Sequence, residues 1–259
     1  MTQLTQGDTA RLGNTRSRCW CLTINNYTKR DEEGIAKEPN CKWVYQIEKG
    51  DTGNTEHIQA WLSYNSAIRF RTIKDRFPTA HIEKRKGTKK QCLDYHTKIE
   101  TRVRGPYSNY LDLPEDLYDD GIASDWQKEI VGLVGTKPDN RTIHWYWSDE
   151  GNIGKTILAK HLCIQYGAMV IGGKASDMKF AIAASEKKPK ICILTIPRSV
   201  EHISYTGLEQ VKDGLFFSAK YESGMCVYNC PHVIVLANRP PEYEKLSEDR
   251  WHVVCIDSN

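Results

Sequence analysis

Long apolar runs are missing from this sequence. No stretch approaches the ~18 residues that a membrane helix needs, and Met1 to Arg18 is polar with no hydrophobic signal core. A chain that stays inside cells and makes no membrane contact is expected. Paired-cysteine spacing is missing too. The nine cysteines are an odd number, and Cys19, Cys21, Cys163, Cys192 and Cys255 fall in apolar runs, where cysteine acts as a small hydrophobe. Disulfides are therefore not expected. Cys226, Cys230 and His232 form the one grouping with zinc-ligand residue types, but no second CxxC-like pair accompanies it, so a packing role is the preferred reading. Internal repeats and low-complexity tracts are also absent.

What is present describes a folded chain. Apolar residues make up 39% and charged residues 27% of its 259 residues, close to globular averages and unlike a disordered or fibrous chain. The length favours two compact domains. The net charge is only +3, yet from Tyr64 to Arg104 there are twelve Lys or Arg against four Asp or Glu. Lys84, Arg85, Lys86, Lys89 and Lys90 crowd one short run within that stretch. Such concentration suits a polyanionic partner, with nucleic acid the leading candidate.

Runs of β-branched, aromatic and apolar residues from Cys19 to Ile24, Lys42 to Ile47 and His57 to Leu62, each closed by Asn, Gly or Asp, predict three strands. Helical spacing is expected over Ala67 to Arg76 and Lys89 to Lys98, with a short strand from His81 to Lys84 between them. From Arg104 to Ser124, Gly105-Pro106, Pro114 and Gly121 mix with Asp112, Glu115, Asp116, Asp119 and Asp120, a linker composition. Beyond it a helix over Trp126 to Val134 and strands at Ile143 to Trp147, Ile191 to Ile196 and Val233 to Ala237 imply a three-layer α/β domain.

His57 and Gln59 are two apart on a predicted strand, so they share a face, and Glu48 can join them if the preceding strand turns back across Gly50 to Asn54. One imidazole with two oxygen donors favours Mg²⁺ or Mn²⁺. Tyr95 and Lys98, three apart on a predicted helix, would be neighbours, as a tyrosine nucleophile assisted by a lysine requires. A phenol with a reference pKa near ~10 needs positive charge beside it to attack a phosphodiester at neutral pH.

GNIGKT, Gly151 to Thr156, follows one predicted strand and precedes a helical run, the context of a phosphate loop. Lys155 would grip the β and γ phosphates, Thr156 would hold Mg²⁺, and the amides around Gly151, Asn152, Ile153 and Gly154 would cradle phosphate oxygens, ATP being the ligand. Asp149 occupies the position where the full pattern has its first glycine.

CWCLTINN (Cys19 to Asn26), EHIQAWL (Glu56 to Leu62) and YHTK (Tyr95 to Lys98), in that order, resemble the three rolling-circle motifs of the Rep proteins of circular single-stranded DNA viruses, and AHIEKRKGT (Ala80 to Thr88) resembles a segment those proteins carry before the tyrosine. Gln59, where other relatives have a second His, makes the chain most similar to nanovirus, nanovirus-alphasatellite and circovirus Reps. Plasmid-type initiators more often show HxH and paired tyrosines.

The resemblance implies an α+β HUH-type endonuclease, an antiparallel sheet with helices, over residues 17–104 after a flexible tail, 1–16. An acidic linker, 105–124, and a P-loop superfamily 3 helicase domain, 125–259, would follow. It further implies a metal-dependent nick of an origin hairpin by Tyr95, with a 5′-phosphotyrosine link and later rejoining. GLFFSAKYES, VIVLANRP and LSEDRW resemble the remaining helicase motifs. There Lys220 with Phe217 or Tyr221 would touch DNA, Asn238 would sense the γ phosphate, and Arg250 would reach a neighbouring subunit. Single-stranded DNA, a homo-oligomeric, hexameric ring, host replication machinery and the host nucleus are the implied partners and place. In KICILTIPRS, Thr195 stands where the family's strand ends in an aspartate that directs Mg²⁺.

Overall fold

A computed structural model describes residues 13–50, 53–114, 122–220 and 223–256. Most of the expected tail (1–12), the acidic stretch 115–121 and Tyr221 lie outside the described residues. The chain divides into two compact units, Met1–Glu115 and Asp116–Asn259, each with a core of its own.

In the first unit, β1 (Arg16–Asn25), β2 (Cys41–Gly50), β3 (Gly53–Arg69), β4 (His81–Lys84) and β5 (Arg102–Ser108) form one antiparallel sheet in the order β4-β1-β3-β2-β5. Strand side chains alternate between faces. Trp20, Leu22, Ile24, Ile47, Ile58, Ala60 and Leu62 therefore gather on one face, with Ile35 of α1 (Lys29–Ala36) and Phe70 and Ile73 of α2 (Phe70–Arg76). Each fully buried aliphatic side chain there contributes about 1.5–3 kcal/mol. The opposite face carries Val44 and Trp61, covered by Cys92 and Leu93 of α3 (Lys89–His96).

Local chemistry sets the limits of α3. Thr88 Oγ1 accepts from the Gln91 amide at 3.2 Å, and Gln91 Oε1 accepts from the Thr88 amide at 2.9 Å. This reciprocal cap starts the helix at Lys89, and Tyr95 falls in its last turn.

Three expectations need correcting. The helix predicted from Ala67 begins at Phe70, because Ile68 and Arg69 extend the β1–β3 ladder opposite Ser17 and Arg16. The helix predicted to Lys98 ends at His96, so Lys98 lies beyond it. The linker expected from Gly105 starts too early: residues 105–108 belong to β5, paired to β2, and Tyr107 stacks on Tyr45 with ring centroids 5.0 Å apart. Gly105, at φ +101°, lies where the β2–β5 register shifts, and a Cβ there would come within 3.2 Å of Gln46 Cα. Glycine is the residue that tolerates both conditions, so this Gly-Pro pair marks a kinked strand rather than a domain boundary.

The second unit has a parallel sheet in the order β12-β6-β11-β8-β7, from β6 (Ile143–Trp147), β7 (Met169–Val170), β8 (Ile191–Ile196), β11 (His232–Ala237) and β12 (Trp251–Cys255). Ile130, Leu158 and Leu162, from α4 (Asp125–Val134) and α5 (Lys155–Tyr166), pack on one face. Met178, Ile182, Leu208 and Val211, from α6 (Ala175–Ala184) and α7 (Tyr205–Asp213), pack on the other. The result is three layers. A small hairpin, β9 (Leu215–Ser218) with β10 (Gly224–Val227), turns Phe216 and Cys226 inward and leaves Leu215, Phe217, Met225 and Val227 exposed. Among the described residues, no helix is long and apolar enough to cross a membrane.

Candidate functional site

Register places the first set of candidates. Glu48 on β2 lies directly opposite His57 on β3, and Gln46 lies opposite Gln59. Directly opposed residues in an antiparallel pair have Cβ atoms roughly 4.5–5.5 Å apart. Glu48, His57 and Gln59 thus share the sheet face that α3 crosses, and they are 2%, 9% and 6% exposed. The tip of the β2–β3 turn, 51–52, lies outside the described residues, but Gly50 pairs with Gly53 on either side of it.

A carboxylate this buried must be compensated. Glu48 Oε1 accepts from Gln46 Nε2 at 2.8 Å, while Oε2 accepts from Thr101 Oγ1 at 2.8 Å and faces Lys98 Nζ at 2.8 Å. Lys98 also stands 4.2 Å from the centre of the Tyr95 ring. Burial works to lower the Lys98 pKa, but the hydrogen bond and charge of Glu48, with Tyr95, outweigh it and hold the ammonium above its usual range. Tyr95 itself is 51% exposed. The two residues meet as spacing suggested, although Lys98 reaches Tyr95 from beyond the helix, drawn there by Glu48.

The donor chemistry fits a hard divalent cation. Glu48 offers a carboxylate, Gln59 an amide oxygen that accepts from Thr23 Oγ1 at 3.0 Å, and His57 an imidazole with no hydrogen bond among the described residues. Gln59 has a further partner that motif reading passes over: its Nε2 lies 3.3 Å from Nε2 of His96, whose Nδ1 lies 2.7 Å from the Cys92 carbonyl oxygen. The only hint in the sequence was that His96 falls four residues after Cys92 on one helix. Tyr95, Gln59 and Thr23 line a groove of about 760 Å³ that also takes in Lys84 and Lys86. Most of the basic run has a partner within the first unit. Lys86 pairs with Glu83 at 3.3 Å, Lys90 with Asp94 at 2.8 Å, and Lys89 sits 4.0 Å above the Tyr110 ring, with Arg85 half-buried.

In the second unit, GNIGKT forms the connection from β6 into α5. Gly154 caps α5 at φ +91°, with no side chain closing the first turn. That positive φ favours glycine, and a Cβ there would also have to displace the end of the Gln127 side chain, whose Nε2 would lie 2.6 Å away. Lys155 Nζ reaches back over the loop to the carbonyl oxygens of Ser148 and Glu150, at 3.1 and 3.3 Å. Helix amides without a side-chain cap and an ammonium folded over a glycine-containing loop fit a phosphate group. The Ser148 amide donates to the Ala237 carbonyl at 3.3 Å, which sets the loop beside the end of β11 and hence beside Asn238. Asn238 Nδ2 donates to the Ile196 carbonyl at 3.4 Å, and Thr195 is exposed near the end of β8. Parallel pairing therefore brings Gly151 to Thr156, Thr195 and Asn238 to one edge of the sheet.

Arg250 is not among them. It precedes β12, whose first residue pairs with the first residue of β6, so it sits at the opposite edge. Its side chain is buried against α7, with Nη1 2.9 Å from Asp213 Oδ1 and Nε 3.0 Å from Glu209 Oε1. The guanidinium is thus engaged within its own chain, against α7. Breaking a buried ion pair typically costs ~3–5 kcal/mol, less here because both carboxylates are partly exposed. Arg250→Ala is expected to lower the unfolding free energy by about 2–3 kcal/mol, measured by urea denaturation. A wild-type midpoint would show that the pairs contribute nothing.

Lys220, at the tip of the β9–β10 hairpin, pairs with Asp177 of α6. Cys226, Cys230 and His232 do not converge: Cys226 is buried in the apolar core, Cys230 Sγ lies near the Asp213 carbonyl, and His232 Nε2 lies 3.0 Å from the Thr136 carbonyl oxygen.

Residues 17–99 match the family model described as "Putative viral replication protein". The chain is 31% identical to Para-Rep C1 of Faba bean necrotic yellows C1 alphasatellite, over 81% of this chain and 90% of the relative. It is 30% identical to the master replication protein of Subterranean clover stunt virus and 29% identical to that of Banana bunchy top virus, each over 91% of this chain and 97% of the relative. The chain belongs to the viral Rep family of nanoviruses and their alphasatellites. Within this Rep, the matched segment contains all the candidates of the first unit, Glu48, His57, Gln59, Tyr95 and Lys98. The full-length relatives extend the likeness across the second unit as well.

Proposed function

We propose that this chain initiates rolling-circle replication of a small circular single-stranded DNA genome, its first unit acting as an HUH-type endonuclease and its second as a P-loop, superfamily 3 ATPase module. The observation that carries the reading is Lys98, which touches both Glu48 of the ligand set and the ring of Tyr95. In the proposed reaction Tyr95 Oη attacks a phosphorus of the origin hairpin. The phosphorus–O3′ bond breaks, the phenol proton passes to the departing 3′-oxygen, and a 5′-phosphotyrosine remains. Lys98 holds positive charge beside the phenol, where it would offset the charge that develops on the reacting oxygens. Lys84 and Lys86, in the same groove, would contact the DNA backbone. Glu48, His57 and Gln59 would hold Mg²⁺ or Mn²⁺, which when bound would polarise the scissile phosphate. The bond energy kept in the phosphotyrosine allows later rejoining without ATP.

Incubation with a labelled origin hairpin and Mn²⁺ tests the reading. A covalent protein–DNA adduct that survives denaturation is expected. Binding without any nick would favour the rival reading, an origin-binding regulatory protein.

For the second unit, ligands of parallel sheets bind at the carboxyl ends of the strands, the edge that gathers Lys155, Thr156, Thr195 and Asn238. Lys155 and the loop amides support nucleotide binding, but Thr195 stands where the family has a Mg²⁺-directing aspartate, and Asp149 where the loop pattern has its first glycine. A hydroxyl does not orient metal-bound water or offset charge as a carboxylate does. ATP binding with slow turnover is expected, and Thr195→Asp is expected to raise turnover about ten- to a thousandfold. Steady-state ATPase assays measure this. Fast turnover that is unchanged by the substitution would mean that another carboxylate serves. A homo-oligomeric ring, association with host replication machinery and action in the host nucleus complete the proposal.

A further inference from the structure

Beneath α3, beside but separate from the hard-ligand set, three soft ligands converge. Cys92 and His96 are four apart on the helix and so share one face. Cys21, on β1 below, completes the group. The Cys21 and Cys92 sulfurs are 3.6 Å apart, Cys92 Sγ is 3.6 Å from His96 Nδ1, and the ligand atoms of all three lie within 4.8 Å of one another. Among the described residues no other three His, Cys, Asp or Glu side chains come together in this way. We propose that Cys21, Cys92 and His96 form a binding site for a thiophilic divalent cation, Zn²⁺ or a chemical equivalent.

Two of the three ligand pairs already stand at distances that fit such an ion. With Zn–S near ~2.3 Å and Zn–N near ~2.0–2.1 Å, tetrahedral angles put paired sulfurs about 3.7 Å apart and a sulfur–nitrogen pair about 3.5 Å apart. The Cys21–Cys92 and Cys92–His96 separations differ from these by about a tenth of an ångström, and Cys21 and His96 are within 4.8 Å of each other. Two thiolates and an imidazole select Zn²⁺, Cd²⁺ or Cu⁺ over Mg²⁺ and Mn²⁺, which prefer oxygen, so the two ligand sets would not compete for one metal. Cys92 and His96 are 6% and 1% exposed, whereas Cys21 is half-buried, and all three line the 760 Å³ groove. The groove leaves room for water as a fourth ligand, making the site open and exchangeable rather than closed and structural.

Protonation agrees with the geometry. The hydrogen bond from Cys21, aided by His96 and opposed by burial, draws the Cys92 thiol below its ordinary range, while the same contact and burial push Cys21 up. A cation bound between the sulfurs would take the place of this hydrogen bond. Binding through Nδ1 would also end its hydrogen bond to the Cys92 carbonyl and move the ring proton to Nε2, which faces Gln59. The site stands independently of the nicking reaction proposed above.

The full chain, reduced and freed of metal, is titrated with Cd²⁺ while the thiolate-to-Cd²⁺ charge-transfer absorption is followed. Because the chain has nine cysteines, the readout is the difference between proteins. Wild type is expected to bind one more tight Cd²⁺ per chain than Cys21→Ser or Cys92→Ser. His96→Gln is expected to weaken that ion by at least about tenfold. Excess Mn²⁺ should leave the absorption unchanged. Circular dichroism checks each variant's fold, and half-buried Cys21 supplies a test that does not disturb the core should Cys92→Ser unfold. Equal stoichiometry and affinity in wild type and a folded Cys21→Ser would overturn the proposal, as would displacement by Mn²⁺. Recovery of a Cys21–Cys92 disulfide from protein kept with excess Zn²⁺ would likewise replace the metal site with a redox pair.

Discussion

Tyr95→Phe is expected to eliminate the covalent protein–DNA adduct and reduce nicking to background while hairpin binding stays within a few-fold of wild type. The phenol oxygen is the only atom removed, and no other group in the 760 Å³ groove is a tyrosine that could replace it. Deleting the nucleophile of a covalent mechanism costs roughly 10⁴-fold or more. Tyr95 is half exposed and its ring packs edge-on against His96 at 5.2 Å, contacts that phenylalanine retains, so a folding defect would not confuse the result. The assay is a denaturing gel of labelled hairpin with Mn²⁺, beside a binding titration. Cleavage persisting in the variant would reject Tyr95 as nucleophile and leave Lys98 without a role in the chemistry.

His57→Ala comes next in size. His57 is 9% exposed and, among the described residues, makes no hydrogen bond, so its loss leaves no buried partner stranded and should cost stability only through the space vacated. Its opposition to Glu48 nevertheless makes it a principal donor of the proposed metal set. Removing one group that stabilises charge in a transition state typically costs about 10²–10³ in rate. Nicking is expected to fall by that factor, to demand far more Mn²⁺, and in wild type to stop in excess EDTA. Single-turnover nicking across a Mn²⁺ series measures all three. A nick made at the wild-type rate in EDTA would remove the metal from the proposal while leaving Tyr95 in it.

Where a strand alternates, the sequence is a good guide. Cys19 to Ile24, Lys42 to Ile47 and His57 to Leu62 lie inside β1, β2 and β3, and the apolar runs of the second unit coincide with β6, β8 and β11. Strands with weaker patterns escape it. β5 reads as a linker because Gly105-Pro106 and its polar neighbours carry no alternation; it forms because β2 presents an edge for it to pair with. β12 has a mixed burial pattern at the margin of the parallel sheet, and β9 with β10 exposes more apolar side chains than it buries. Helix ends are similarly decided elsewhere. The ladder with β1 delays α2, and nothing local in YHTK announces that α3 stops before Lys98.

By itself the sequence determined which residue types could do chemistry and which of them share a strand face, because alternation along a strand is a local property of the backbone: His57 with Gln59 needed no partner to be paired. It likewise determined the glycine-bearing turn into α5, since loop and helix are contiguous. Tertiary structure decided everything that depends on chain segments far apart. It put Lys98 against Glu48, fifty residues away, because a buried carboxylate needs a counter-charge. It placed Cys21 beneath Cys92 and His96, and it set Arg250 against Glu209 and Asp213 at the edge of the sheet away from the Gly151 to Thr156 loop. Burial and pairing across distance are properties of the packed whole, and a motif records the presence of a side chain without recording what it will face.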